Sequence, residues 1–418
     1  MTSPENSATR KIHSLNKSRI SILLLEGLHP IARKTLESRG YSNITEYTHS
    51  LTGDDLADAL KGVHFIGIRS RTQLTAKVIQ AADKLAAIGC FCIGINQVDL
   101  DAAELAGIPV FNAPFSNTRS VAELAIGEMI MMMRGIPQRN AAAHRGEWLK
   151  SATGSTEIRA KTLGIIGYGH IGSQLGVLAE GLGMQVIYYD IADKLPMGNA
   201  NPVDNLDQLL AESDVVTLHV PQTDATHEMF GADELDKMRK GSFLINLARG
   251  TVVQIDALHS AIESGQLAGA SIDVFPVEPK SNAEQFISPL CGLDNVILTP
   301  HIGGSTLEAQ QNIAREVTGK LVKYSDNGTS LSAVNFPEVS MPDQAGNHRI
   351  LHIHQNEPGV LQQINQVFSN NNVNISAQYL QTNENIGYVV MDIESADFSD
   401  LLADLKAIPS TIRCRMLY

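Results

Sequence analysis

The chain has 418 residues, 43% of them apolar, and a formal net charge of -13. That length exceeds what a single core organises, so two or three domains are expected. The acidic balance argues against nucleic acid or an anionic membrane as partner, and Cys90, Cys92, Cys291 and Cys414 lack the spacing of a disulfide framework or a zinc site, which fits reduced thiols in the cytoplasm and no metal.

Residues 1–18 are polar, have no apolar core of signal-peptide type, and read as a disordered tail. Apolar runs at Arg19–Leu25, Val63–Ile68, Leu85–Cys90 and Pro109–Phe111 predict buried strands, with a helix over Pro30–Arg39 and further helical stretches between them. Strands alternating with helices imply a parallel sheet covered on both faces. The second run leads into Arg69-Ser70-Arg71, two guanidiniums flanking a hydroxyl, which suits a phosphate or carboxylate. Solvated surface charge is the plainer alternative. Gly94 and Asn117 occupy comparable loop positions. Ser120-Val-Ala-Glu123 has the form of a capping box opening a core helix through Arg134, and a polar stretch follows.

The apolar run Thr162–Ile166 ends in Gly167-Tyr-Gly169-His170-Ile171-Gly172, and a helical pattern comes after it. G-x-G-x-x-G between strand and helix is a dinucleotide fingerprint: the first glycine makes the turn, the second admits a pyrophosphate, the third lets helix and strand pack closely. The helix N-terminus offers unpaired N–H groups to the phosphates. Asp190 follows the next strand, Gln185–Tyr189, where it could accept from ribose hydroxyls and repel a 2′-phosphate. NAD is therefore favoured over NADP. Runs at Val215–Val220, Ser242–Asn246, Gly269–Val274 and Val296–Thr299 complete a doubly wound nucleotide domain to about residue 307.

Arg249, Glu278 and His301 each lie just past one of these strands, at the edge where parallel sheets bind ligands. Singly, each is an ordinary ion pair or cap. Together they suit oxidation of a 2-hydroxy acid. Histidine titrates near neutrality and can take a hydroxyl proton. A neighbouring carboxylate would fix its tautomer, and arginine's planar fork would grip a substrate carboxylate. Asp273 reads equally as a partner for the nicotinamide carboxamide or as a strand-end cap.

Ser305-Thr-Leu-Glu308 repeats the capping pattern ahead of a helix to about Tyr324, and residues 325–347, with Pro337, Pro342 and Gly346, read as a linker. The tail then alternates as β-α-β-β-α-β, a ferredoxin-like order. The expected fold class is α/β: two doubly wound, Rossmann-like parallel-sheet lobes, one inserted in the other, plus a C-terminal ferredoxin-like α+β domain. The expected divisions are 1–18 tail, 19–116 with 308–336 substrate-binding lobe, 117–307 nucleotide lobe, 337–348 linker and 349–418 regulatory domain.

The segments Ala87–Leu100, Phe111–Glu123, the fingerprint, Asn246–Gly250, Thr299–Ser305 and the tail carry a specific likeness. On them, and over essentially everything after residue 19, the chain resembles the D-isomer-specific 2-hydroxyacid dehydrogenases, in the branch that ends in an ACT domain. The resemblance implies catalytic roles for Arg249, Glu278 and His301. It implies NAD contacts at Gly167, Gly169, His170, Ile171, Gly172, Asp190, Leu247, Ala248, Asp273, Ile302, Gly303 and Gly304. It implies substrate-phosphate contacts at Arg69 and at Lys150 or Trp148 of a neighbouring subunit, to which Ser70, Arg71, Gly94 and Asn117 are added by their loop positions. The implied reaction is NAD-dependent oxidation of 3-phospho-D-glycerate to 3-phosphohydroxypyruvate, the first step of L-serine synthesis, in a homotetramer. L-serine would bind the ACT domain through His354, Asn356 and Asn374. Members under strong serine control can carry a Gly-Gly hinge before that domain, where this chain has the single Gly346. Two other readings compete: a broader 2-hydroxy acid dehydrogenase, acting for instance on 2-hydroxyglutarate, and a non-catalytic NAD-sensing protein.

Overall fold

Apolar runs bounded by turn residues become strands, and among the described residues these assemble into three sheets. The computed structural model describes residues 15–279, 283–342, 348–394 and 399–417. The chain divides into two compact units, one running up to Pro114 and resuming at Gln311, the other spanning Phe115–Gln310. The second unit is thus an insertion in the sequence of the first.

The first unit opens with β1 (Ile22–Leu24), β2 (Ile44–Glu46), β3 (Phe65–Ile68), β4 (Ala87–Cys90) and β5 (Val110–Phe111), all parallel, in the order β2-β1-β3-β4-β5. All residues of β1, β3, β4 and β5 are buried, as a sheet covered on both faces requires. β2 has no run in the sequence reading because it is a three-residue edge strand that buries little. Lys17–Arg19, placed partly in the expected tail, form a 3-10 turn capped by Asn16, and Lys17 pairs with Asp326 at 2.8 Å. The rest of that tail, residues 1–14, lies outside the described residues.

The second unit contains β6 (Thr162–Ile166), β7 (Gln185–Tyr189), β8 (Asn201–Pro202), β9 (Val215–Leu218), β10 (Ser242–Asn246), β11 (Leu267–Ile272) and β12 (Val296–Leu298). They form a parallel sheet in the order β12-β11-β10-β9-β6-β7-β8. Strand order reverses between β6 and β9, and such a switch point opens a crevice at the carboxyl ends. The helix expected from a capping box at Ser120 spans Thr118–Met133, with Asn117 at its N-cap. Ser120 instead pairs its hydroxyl with Thr306, and Glu123 pairs with Arg119, so no capping box forms there. Helix Leu307–Asn327 is capped by Thr306, not Ser305: its hydroxyl accepts from Ala309 N–H at 3.1 Å. The polar stretch after Arg134 contains a further helix, Ile136–His144.

The C-terminal domain belongs to the first unit. Its strands β13 (His348–Gln355), β14 (Ile375–Thr382), β15 (Ile386–Ile393) and β16 (Thr411–Leu417) pair antiparallel in the order β14-β15-β13-β16. Alternate residues point to opposite faces. Ile350, Val389, Met391 and Met416 therefore pack with Val360, Ile364, Phe368 and Leu405 from this domain's helices. Leu351, Ile353, Tyr388 and Val390 join the core of the first lobe with Val317, Leu321 and Phe336. Residues 325–342 of the expected linker are correspondingly ordered. The preceding helix runs to Asn327, and Phe336, Val339 and Met341 are buried. Asn335 accepts the Val110 N–H at 2.8 Å. Gly346 lies outside the described residues.

Candidate active site

The fingerprint turn is shaped by what a side chain would strike. Gly167 has φ +89°, and a Cβ there would overlap the carbonyl of His219. Only glycine tolerates both conditions. Around Gly169 nothing lies within 4 Å of such a Cβ, so that backbone is open to a ligand. Helix His170–Gly181 starts immediately after it with no side-chain cap, which leaves its first N–H groups available to a phosphate. The His170 ring lies on Phe115, centroids 3.9 Å apart. Ile171 and Gly172 form the helix's first turn. Asp190 accepts from Tyr168 N–H at 2.8 Å and Ala192 N–H at 2.9 Å, which fixes its carboxylate beside the glycine turn. These features fit a dinucleotide: an open, uncapped helix start and an oriented acid 18 residues beyond Gly172.

The charged trio is assembled by neighbouring strand ends. The buried Asn246, last residue of β10, closes the following loop from inside, accepting from Ala248 N–H at 3.0 Å and donating to Arg249 O at 3.1 Å. Leu247 and Ala248 are buried there, and the Arg249 guanidinium also donates to Ala248 O at 2.7 Å. Gly250 has to be glycine because a Cβ would overlap the Phe275 backbone. That contact brings the loop carrying Arg249 against the loop carrying Glu278. Glu278 accepts the Phe275 N–H at 3.1 Å and meets His301 Nδ1 at 2.9 Å through Oε2 and 3.0 Å through Oε1. That hydrogen bond to Glu278 raises the His301 pKa against the opposing effect of burial. Burial alone would lift the Glu278 carboxyl, but the bond and charge of His301 outweigh it and hold the acid below its usual range. The Arg249 charge acts on both groups, lowering each. The arrangement is a base with its tautomer fixed at Nδ1, its Nε2 free of that bond, and a cation in reach.

Asp273, at the end of β11, orders the turn that carries the histidine. Its carboxylate accepts from Thr299 Oγ1 at 2.6 Å, Ile302 N–H at 2.8 Å and Gly303 N–H at 2.8 Å. Its carbonyl accepts His301 N–H at 2.8 Å. The cap role is filled, and about one of a carboxylate's four lone-pair directions is left for a ligand amide. Asn117 packs its side chain against Gly304, in the same unit as the trio.

Arg69, Ser70, Arg71 and Gly94 lie in the first unit, past the ends of β3 and β4. Lys150 sits in an exposed loop beside Trp148, which is 85% exposed. In the C-terminal domain, His354 Nδ1 donates to Gln355 O at 2.7 Å, while its buried Nε2 has no hydrogen-bond partner among the described residues. Asn356 donates to Asn383 O at 2.7 Å. One chain does not bring Asn374 to them. Ile375 is level with Ile393 and so with His348, whereas His354 is level with Gly387 and so with Thr382. β13 and β14 run in the same direction because each is antiparallel to β15, so Asn374 and His354 lie at opposite ends of the strands.

Two buried titratable residues near these strand ends had no motif to announce them. His219, after β9, accepts or donates at Nε2 with Thr217 at 3.0 Å, and burial pushes its pKa down to about 4. Its strand-end position was the available signal. Glu128, fully buried on helix Thr118–Met133, reads in sequence as one acid in an apolar run. Among the described residues no cluster of His, Cys, Asp and Glu could hold a metal, and no helix is long and apolar enough to cross a membrane.

Comparison with known proteins matches this architecture. Residues 126–303 fit the model of the D-isomer specific 2-hydroxyacid dehydrogenase NAD binding domain, and residues 350–413 that of an ACT domain like the one in the AHAS small subunit. The chain is 61% identical to the D-3-phosphoglycerate dehydrogenase of Haemophilus influenzae, over 98% of this chain and 100% of that one. It is 60% identical to the enzyme of that name from Escherichia coli K12, over 97% and 99%. Among solved structures it resembles the D-lactate dehydrogenase of Aquifex aeolicus, complexed with NAD and lactic acid, with TM-score 0.64 and 27% identity over 73% of this chain and 95% of that one. The chain therefore belongs to the D-isomer specific 2-hydroxyacid dehydrogenase family, in its D-3-phosphoglycerate dehydrogenase branch.

Proposed function

We propose that the protein oxidises 3-phospho-D-glycerate to 3-phosphohydroxypyruvate with NAD. The observation that carries this reading is the pairing of His301 with Glu278 at 2.9 Å in a unit that also carries an open fingerprint turn. NAD would be held by the 167–172 turn, by Asp190 and by the Asp273-ordered 301–304 turn; when bound, it would supply the acceptor for the hydride released as the substrate C2–H bond breaks. His301 takes the C2 hydroxyl proton at Nε2 and holds it as an imidazolium stabilised by Glu278. Arg249 grips the C1 carboxylate and favours negative charge on the adjacent oxygen. Arg69 and Arg71 supply cations for the phosphate. This selectivity separates the proposal from a broader 2-hydroxy acid dehydrogenase, and turnover separates it from a NAD sensor.

The ACT domain is read as the regulatory element and L-serine as its effector. His354 and Asn356 then require Asn374 from a second copy. The edge strand β14 is exposed along most of its length and suits pairing with another chain. Antiparallel pairing of two such edges brings each Asn374 toward the other copy's His354 end, and a homotetramer built partly on that contact follows. A cytoplasmic location fits the free thiols.

The test is an NADH-linked assay over a panel of keto acids, with and without serine, on the wild type and His301→Gln. The wild type should prefer 3-phosphohydroxypyruvate, and the variant should lose about 10²–10⁴-fold in turnover at unchanged NADH affinity. Binding of NADH without turnover of any acid in the wild type would reject the enzyme reading.

A further inference from the structure

Glu26 follows β1 and is only 9% exposed. Its φ is +66°, a left-handed conformation that a glutamate rarely adopts, and Gly27 continues it at +59°. The bend places its carboxylate beneath the loop after β3. Oε1 accepts the Arg69 N–H at 3.1 Å and the Thr72 N–H at 2.9 Å, and Oε2 accepts the Arg71 N–H at 3.1 Å. From the other side Gln97, also buried, donates Nε2 to Arg69 O at 2.8 Å and to Gly94 O at 3.1 Å. The Arg69 residue is therefore clasped at both its N–H and its carbonyl.

The carboxylate bonds to backbone and not to the guanidiniums. Neither the Arg69 nor the Arg71 guanidinium has a hydrogen-bond or ion-pair partner among the described residues. A loop that presents cations to an external anion needs this combination: fixed backbone and uncommitted charge. Three N–H donors converge on Glu26, and only a carboxylate offers acceptors on both arms. A glutamine would turn an NH₂ toward the Arg71 N–H.

We propose that Glu26 is a positioning residue for substrate selection, holding the Arg69–Thr72 backbone so that Arg69 and Arg71 meet the phosphate end of the substrate. This rests on the reading that the loop takes that phosphate. The experiment compares E26Q, R69Q and wild type, as full chains, with 3-phosphohydroxypyruvate and with unphosphorylated hydroxypyruvate. E26Q should raise KM for the phosphorylated acid about tenfold or more, with kcat, KM for hydroxypyruvate and NADH affinity each within about threefold, the signature of lost binding without lost chemistry. R69Q should show the same selectivity. A selective loss in R69Q with none in E26Q overturns the role of Glu26 and leaves the phosphate reading standing. No selective loss in either overturns both. Equal losses on the two acids in E26Q would make Glu26 a merely structural residue and also overturn the proposal. If E26Q does not accumulate as folded protein, Gln97→Met, which releases the Arg69 carbonyl, decides by the same KM ratio.

Discussion

His301 combines an unusual backbone with a shifted side chain. Its φ of +54° lies in the left-handed region, and Asp273 sustains it by accepting the N–H of His301, Ile302 and Gly303. The strained turn aims Nδ1 at Glu278. The shift has a kinetic consequence whose sign is fixed by protonation. Oxidation needs neutral His301, so its rate rises with pH through a pKa raised above the usual value; reduction needs the imidazolium and is lost through the same range. Glu278→Gln keeps an acceptor for Nδ1–H but removes the charge that favours the imidazolium. The variant's acid limb for oxidation should move to lower pH, and so should the basic limb for reduction. Rate profiles in both directions measure this; limbs that stay in place would show that Glu278 does not set the His301 pKa.

At the scale of elements, the helix packed on the sheet beneath that turn carries a buried acid. Glu128 lies on helix Thr118–Met133, and neither carboxylate oxygen is within hydrogen-bond geometry of a partner among the described residues. Burial raises its pKa to about 7, Ser271 partly offsets this, and the charge of Asp273 adds to it. The folded value exceeds the unfolded one, so this carboxyl costs no stability at acid pH. Its cost grows as pH climbs through the unfolded value and levels off above about 7. Glu128→Gln has no charge to bury. It should match wild type near pH 4.5 and exceed it at pH 8 by of the order of 3 kcal/mol, read from urea midpoints at the two pH values. Equal midpoints at pH 8 would mean the acid finds a partner when ionised.

Elements with strong local signals were legible in the chain, and weakly patterned ones were not. The runs at 63–68, 162–166 and 242–246 became β3, β6 and β10 because Val, Ile and Leu there are buried on both faces. β2 and β8 escaped because a two- or three-residue edge strand has no period to read. Arg249, Glu278 and His301 could be picked out by their place past strand ends. Their mutual contact depends on Gly250 meeting Phe275, a tertiary approach no local pattern encodes. Residues 325–342 misled for a related reason. Their Ser, Asn and Pro content is that of a linker, yet Ser330 donates to Pro337 O and Thr329 accepts the Met341 N–H, which folds the segment onto itself.

Across the whole molecule, the C-terminal domain and the first lobe share one hydrophobic core, while the nucleotide unit has two of its own. Arg349 is the polar counterpart of that shared core. It is fully buried, paired with Asp392 at 2.7 and 2.9 Å, and it also donates to Asn327 O at 3.0 Å and Pro342 O at 3.2 Å. One guanidinium thus bonds two strands of the sheet, the end of helix Leu307–Asn327 and the segment after it. Tyr388 adds a second link by donating to Gly328 O at 2.6 Å. A domain held this way should melt with the lobe beneath it. Calorimetry of the full chain should therefore resolve one transition for the first lobe together with the C-terminal domain and another for the nucleotide unit. Asp392→Asn leaves the buried guanidinium without its counter-charge, a loss of about 3–5 kcal/mol. It should lower the shared transition by roughly 10 °C and leave the other in place, while NADH should raise only the nucleotide-unit transition. A separate C-terminal melting step, moved by Asp392→Asn while the first lobe stays unchanged, would show that the shared core does not couple the two.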